Sequence, residues 1–366
     1  MQFIDLKKQY HVLKADIDQR IQDVLTHGQY ILGPEVKELE MQLADVVGAK
    51  HCITVANGTD ALLIAMMALD IKPGDEIITT PFTFIATVEM MMLLGAIPKF
   101  VDIDRGTYCL DANLIGPAIN DKTKCIMPVS LYGQCADMDA INSIAERYHL
   151  PVIEDAAQSF GANYHHKKSC HLSTIACTSF FPSKPLGCYG DGGACFTDDD
   201  ELQKKMRYIR VHGQEKRYYH QHLGINSRLD TMQAAILLAK LPYFNQEIAA
   251  RQRIAKRYDA LLSQHVKTVT IMPDCTSVYA QYTIETRHRD QVQTHLRKLN
   301  VPTAIHYPLP LHFQPVVANY IQLKPSCPIA EDAANSVISL PIHPYLSEEE
   351  QDVIVNHLLE ALLTEA

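Results

Sequence analysis

Three short stretches carry side chains that could do chemistry. The first, "FFPSKPLGCYGDGGA" at residues 180–194, sets Lys184 between two prolines, behind two phenylalanines and ahead of four glycines. Proline on both sides excludes a regular helix there. A lysine held in a stiff apolar setting has its charged form disfavoured, which lowers its pKa and frees the amine as a nucleophile of the Schiff-base kind. Without such a setting, an exposed loop lysine is the ordinary reading. The second stretch, "PVIEDAAQSFGA", ends an apolar strand in Glu154 and Asp155, with Gln158 one turn on. Ligands bind at the carboxyl ends of parallel strands, and an aspartate there suits a cation or a protonated ring nitrogen, or else caps the next turn. The third, "TVANGTDAL", runs from a strand into Gly58 and Thr59 at a helix start, where free N–H groups and the positive dipole end make a phosphate site. Thr59 is equally a good helix cap, and taken alone that reading comes first. No G-x-G-x-x-G and no G-x-x-x-x-G-K-[ST] points to a dinucleotide or a P-loop.

The elements that must position these residues alternate. Spaced apolar positions predict a helix over 7–27, and a second helix follows the glycines of "HGQYILGPEV" and runs to Val47. Next come the strand "HCITV", the helix "GTDALLIAMMAL" opened by Thr59 and Asp60, the strand "EIITT", the helix "TFIATVEMMMLL" and the strand "IPKFVDI". A helix near 111–119, the strand "KCIMPV", a helix over 137–149 and the strand "PVIED" complete the run. This rhythm predicts an α/β fold with a mostly parallel sheet flanked by helices. Helices are also expected in "DELQKKMRYIRVHG" and "DTMQAAILLAKL". A long charged helix from about Asn245 to Ser263 leads into "VYAQYTIE", "RDQVQTHLRKLN" and a terminal helix. The expected division is a large cofactor-binding domain over 1–244, with a helical N-terminal arm, and a smaller α/β domain over 245–366.

A phosphate-type helix start, an acid at a strand end and a hindered lysine, in this order on an α/β chain, are the parts of a pyridoxal phosphate site. The motifs "HGQYILGPEV", "ANGTDAL", "IEDAAQSFGA", "FFPSKPLGCYGDGGA", "GINSRLDTMQAAIL" and "HYPLPLH" together span nearly the whole chain. Through them it resembles the sugar aminotransferases of the DegT/DnrJ/EryC1/StrS family, pyridoxal 5'-phosphate enzymes of fold type I with a seven-stranded sheet. Within the family it is most similar to enzymes that aminate carbon 3 of UDP-2-acetamido-2-deoxy-3-oxo-glucuronate for bacterial O-antigen sugars.

The resemblance implies roles residue by residue. Lys184 would carry the cofactor and shuttle the proton. Asp155 would keep the ring nitrogen protonated, Gln158 would lie on the phenolic oxygen side, and Phe82 would stack on the ring unless it is a core aromatic. Gly58, Thr59 and Ser179 would hold the phosphate. Asn226 would reach the phosphate of a neighbouring subunit's cofactor, implying a homodimer with shared active sites; Asn226 and Ser227 could also cap the helix of "RLDTMQAAIL". Gly28, Tyr30, Ser183, Arg228, His306 and Tyr307 would meet the UDP-sugar, and L-glutamate would donate the amine. Alternatives within the resemblance are another keto sugar nucleotide, aminated at carbon 4 or lacking the carbon-6 oxygen, and a cofactor-binding regulator without turnover. A sugar dehydratase is disfavoured, because those relatives replace the lysine by histidine.

Composition narrows the classes. With 33 basic and 42 acidic residues the formal charge is −9, and no basic stripe offers a nucleic-acid footprint. The N-terminus is charged from its first residues and the apolar runs are too short for a bilayer, so a cytoplasmic protein without membrane contact is expected. Ten cysteines include no C-x-x-C and read as buried reduced thiols, with no metal site expected. His165 and His166 read as a surface turn.

Overall fold

The computed structural model describes residues 1–321 and 325–363. Seven strands form the central sheet: β1 (His51–Val55), β2 (Glu76–Thr79), β3 (Ile97–Phe100), β4 (Thr123–Met127), β5 (Ile153–Asp155), β6 (Ile175–Ser179) and β7 (Gly193–Thr197). Continuous ladders give the order β1-β7-β6-β5 and β3-β2-β4. Parallel bridges Ile126–Val152 and Val129–Asp155 join the two runs through β4 and β5. Every neighbouring pair is parallel except those made by β7, which is antiparallel to β1 and to β6. The sheet is therefore mostly parallel, as the alternating rhythm predicts, with one reversed strand.

These strands are short and almost wholly buried, so they read as continuous apolar runs. Helices α1 (Leu6–His27), α2 (Pro34–Val47), α3 (Gly58–Ala68) and α4 (Ala86–Leu93) follow the predicted boundaries within a few residues. Glycines at positive φ, Gly28 and Gly48, end α1 and α2. The expected helix near 111–119 is a 3-10 turn at Ala112–Leu114 followed by a single turn at Ile115–Ala118, because Gly116 and Pro117 do not sustain more.

The helix Phe244–Leu262 leads into a second core of its own, built with Tyr282, Ile284, Val292, Leu296, Ile338 and Leu358. There, strands Tyr282–Glu285 and Val337–Leu340 pair antiparallel. The chain between them does not all stay in that core, since Leu311, Val317, Cys327 and Ala330 pack into the large one. The helix Thr231–Lys240 lies against α1, closing a small cluster of Leu13, Ile17, Ile236 and Ala239. No cysteine is bridged, and all but Cys275 are buried. His165 and His166 are exposed in the turn between residues 164 and 167.

Candidate active site

The carboxyl ends of the strands gather most of the expected residues. Asp155 closes β5 and is 5% exposed. Its Oδ2 accepts a hydrogen bond from the Thr87 hydroxyl at 2.8 Å, and its Oδ1 one from the Ala157 N–H at 3.2 Å. Burial pushes its pKa up, against the pull of these donors and of the Lys184 charge. Among the described residues no cation bonds this carboxylate directly, so a protonated ring nitrogen would supply a partner.

Lys184 stands within electrostatic reach of Asp155, on the tight loop joining β6 to β7. Its N–H donates to Phe181 O at 2.8 Å, and the Cys188 N–H returns to Phe180 O at 2.8 Å. At Gly187 a side chain would strike Pro182 O at 2.5 Å, which is why glycine occupies this bend. Burial lowers the Lys184 pKa from 10.5 to about 8, with Asp155 opposing. The lowered pKa is the direction that the sequence predicts for this lysine, although Phe181 is 52% exposed and so does not enclose it. Ser183, beside it, is half-buried.

Gln158 is buried and fixed at both ends: its Oε1 accepts from the Tyr132 N–H at 2.9 Å, and its Nε2 donates to the Tyr307 hydroxyl at 3.0 Å. His306 also belongs to this cluster. Its Nδ1 lies 2.9 Å from the Ser339 hydroxyl, and its carbonyl accepts from the Tyr132 hydroxyl. Burial, reinforced by the Lys184 charge, drops its pKa from 6.5 to about 4, so the ring is neutral near pH 7.

The phosphate-type start is present in a modified form. Asn57, not Thr59, is the N-cap of α3, and its Oδ1 accepts from the Asp60 N–H at 2.8 Å. Gly58 and Thr59 are the first helical residues, leaving their N–H groups at the positive end. A side chain at Gly58 would strike the Ser179 Cβ at 2.7 Å, so that strand end and helix start form one cradle. The proposed phosphate donors meet in space although 120 positions separate Thr59 from Ser179.

Two expectations come out differently. Phe82 is fully buried, edging Tyr307 at 6.4 Å and Tyr108 at 6.2 Å, and offers no free face. Phe84, two residues on, is 56% exposed with its centroid 6.2 Å from that of Tyr307. Asn226 and Ser227 cap no helix, since the next one starts at Thr231 after Asp230. Ser227 instead accepts from the Ala56 N–H at 3.1 Å, beside the α3 start, while Asn226 is exposed and pairs with Val211.

A further group lies apart. Gly28 ends α1, Tyr30 is half exposed, and the Tyr30 carbonyl accepts from the Thr231 N–H at 3.0 Å. Ile31 bridges Asp230, which brings this segment alongside the half-buried Arg228. Among the described residues, no hydrogen bond or ring contact ties Gly28, Tyr30, Asn226 or Arg228 to the Lys184 cluster. Sequence reasoning missed Thr87, Tyr132 and Phe84, whose contacts and exposure appear only once the chain is folded.

A buried acid at a strand end, a poised lysine and an anion cradle on an α/β sheet define an enzyme built around a phosphorylated pyridine cofactor. Residues 11–359 match the DegT/DnrJ/EryC1/StrS aminotransferase family, and the chain belongs to it. It is 60% identical to the UDP-2-acetamido-2-deoxy-3-oxo-D-glucuronate aminotransferase of Pseudomonas aeruginosa, over 94% of this chain and 96% of that one. It is 46% identical to a pleiotropic regulatory protein of Geobacillus stearothermophilus, over 98% and 97% of the two chains. Among solved structures it resembles NtdA of Bacillus subtilis with bound cofactor PMP, with a TM-score of 0.91 and 32% identity over 99% of this chain and 83% of that one. The protein is a pyridoxal phosphate-dependent transaminase.

Proposed function

We propose that the protein moves the amino group of L-glutamate to carbon 3 of UDP-2-acetamido-2-deoxy-3-oxo-glucuronate, in the cytoplasm and as a homodimer, for surface polysaccharide synthesis. The observation that carries this reading is Lys184 within electrostatic reach of Asp155, on a sheet whose strand end also forms the Gly58–Ser179 cradle, in a chain so similar to an aminotransferase of that sugar. When bound, pyridoxal phosphate supplies an electron sink for the bonds of the carbon that carries the nitrogen.

The chain's own residues do the rest. Asp155 holds the proton on the ring nitrogen. The N–H groups of Gly58 and Thr59 and the Ser179 hydroxyl take the phosphate, and Phe84, rather than Phe82, offers the flat face. Gln158, held by Tyr132 and Tyr307, would lie near the phenolic oxygen of the ring. Lys184 Nζ, with its lowered pKa, takes the proton from the substrate carbon and returns it, as general base and then general acid. Ser183, His306, Tyr307, Gly28, Tyr30 and Arg228 are the proposed sugar-nucleotide contacts; the guanidinium of Arg228 suits a carboxylate or phosphate. Exposed Asn226 is proposed to reach the partner's cofactor phosphate.

Adding L-glutamate to the purified yellow protein should bleach its visible band, and the 3-oxo sugar should restore it. Restoration only by another keto sugar nucleotide would leave the mechanism and remove the substrate. A band untouched by glutamate would mean another amino donor or favour the second reading, a regulator that holds the cofactor without turnover, and the Geobacillus relative is itself named a regulatory protein.

A further inference from the structure

Thr87 is a buried side chain with no assigned part in this site, and it bonds the carboxylate on which the site depends. It lies on the first turn of α4, 1% exposed, and its hydroxyl is 2.8 Å from Asp155 Oδ2. The same hydroxyl is 3.0 Å from that of Thr83, itself 2% exposed. A hydroxyl has one proton to give, and a carboxylate can only accept. Thr87 therefore donates to Asp155, and Thr83 must donate to Thr87. The two threonines form a relay of fixed polarity that ends on the buried carboxylate, each bond polarising the next. The Thr87 N–H also donates to the Phe84 carbonyl at 3.2 Å, so one turn of chain carries both the exposed aromatic and the aspartate's donor.

We infer that Thr87 is a positioning residue of the transaminase, which keeps Asp155 ionised and aimed at the cofactor's ring nitrogen, with Thr83 setting the direction of its hydroxyl. Burial favours the neutral acid, and among its hydrogen-bond donors only the Ala157 N–H remains if the Thr87 hydroxyl is lost. A neutral Asp155 does not hold a proton on the ring nitrogen, and the electron sink weakens. This inference rests on the pyridoxal phosphate reading above.

The test uses the holoenzyme reconstituted with pyridoxal phosphate labelled with nitrogen-15 in the ring, comparing wild type with Thr87→Val, Thr87→Ser and Thr83→Val. The ring nitrogen of the wild type should resonate as a pyridinium. In Thr87→Val, which keeps the shape and removes the donor, the resonance should move toward neutral pyridine. There kcat should fall about tenfold, while KM for the UDP-sugar stays within about twofold, as for loss of a charge-assisted hydrogen bond. Thr87→Ser should restore both readouts, and Thr83→Val should fall between. A bound cofactor with an unchanged nitrogen resonance in Thr87→Val would overturn the inference, as would equal damage in Thr87→Val and Thr87→Ser. If Thr87→Val does not fold, an unshifted resonance in Thr83→Val overturns it instead. A wild type that binds no pyridoxal phosphate would sink the functional reading itself, a separate and distinguishable failure.

Discussion

Two lysines in this fold share one physical predicament. Lys184 faces Asp155 on the loop after β6, and Lys240, 2% exposed, donates to Gly187 O at 2.6 Å with its ammonium 3.9 Å from the Tyr189 ring centroid. Burial lowers each from 10.5 to about 8. Between about 8 and 10.5 the unfolded chain therefore holds protons that the folded one has shed. The unfolding free energy of the cofactor-free protein should rise with pH across that window, by up to about 1.4 kcal/mol per pH unit for each lysine. Denaturant titrations at several pH values check this, and Lys184→Met should remove its share of the slope. His306 and His343, both near 4 when folded, act at the acid end: stability should fall as pH drops from 6.5 toward 4. At this scale the sequence was most legible where constraint is local. Prolines flanking Lys184 mark a constrained setting, in which its pKa is lowered, whereas a hydroxyl at Thr87 looks like any helix residue until Asp155 is folded against it. The choice between Phe82 and Phe84 was illegible for another reason: residues 80–85 lie in irregular backbone, to which neither strand nor helix periodicity applies.

Elements carry the site by their ends. The helix Thr231–Lys240 grips the lysine loop at two points, through Lys240 on Gly187 and through Gln233 Oε1, which accepts from the Tyr189 N–H at 2.9 Å. Its first residue, Thr231, accepts from the Gly33 N–H at 3.0 Å and so also holds the segment that bears Tyr30. At α3 the cap matters more than the residues first credited with it. Asn57→Ala should cost about 1 kcal/mol of stability and loosen cofactor binding by loss of the aligned N–H groups, while Thr59→Ala should leave helix stability nearly unchanged. Thermal melts and equilibrium binding of pyridoxal phosphate check both. Helices α1 and α2 were legible because they present apolar faces at regular spacing, and α3 and α4 as long apolar runs between turn signals. Strand β7 was not, since "GACFT" is five residues long and its direction is set by the loop before it and not by its own side chains.

The whole molecule places Asn226 at an exposed edge, with Leu223 at 84% and Tyr218 at 79% exposure close by in the chain and half-buried Arg228 two residues on, while Lys184 lies half-buried on the loop after β6. A second copy covering that edge would complete the active site, as a two-fold dimer does when each subunit lends residues to the other. Mixing Lys184→Ala with an inactive Asn226 variant and allowing subunits to exchange should then restore about a quarter of wild-type activity, because half of the dimers carry one intact site. Sites confined to one subunit would restore none. The reversed strand β7 has a consequence for how the chain comes off the ribosome. It sits between β1 and β6, so Val55 has no partner until Gly193 is made, and the strand preceding Gly58 is not locked beside the one ending in Ser179 until then. A nascent chain that has just delivered Lys184 already holds most of the residues that would grip the cofactor and still cannot grip it. Loading should wait for the stretch up to Thr197 to slot in, so the enzyme should take its cofactor no earlier than about halfway through synthesis, once the sheet has closed around its last strand.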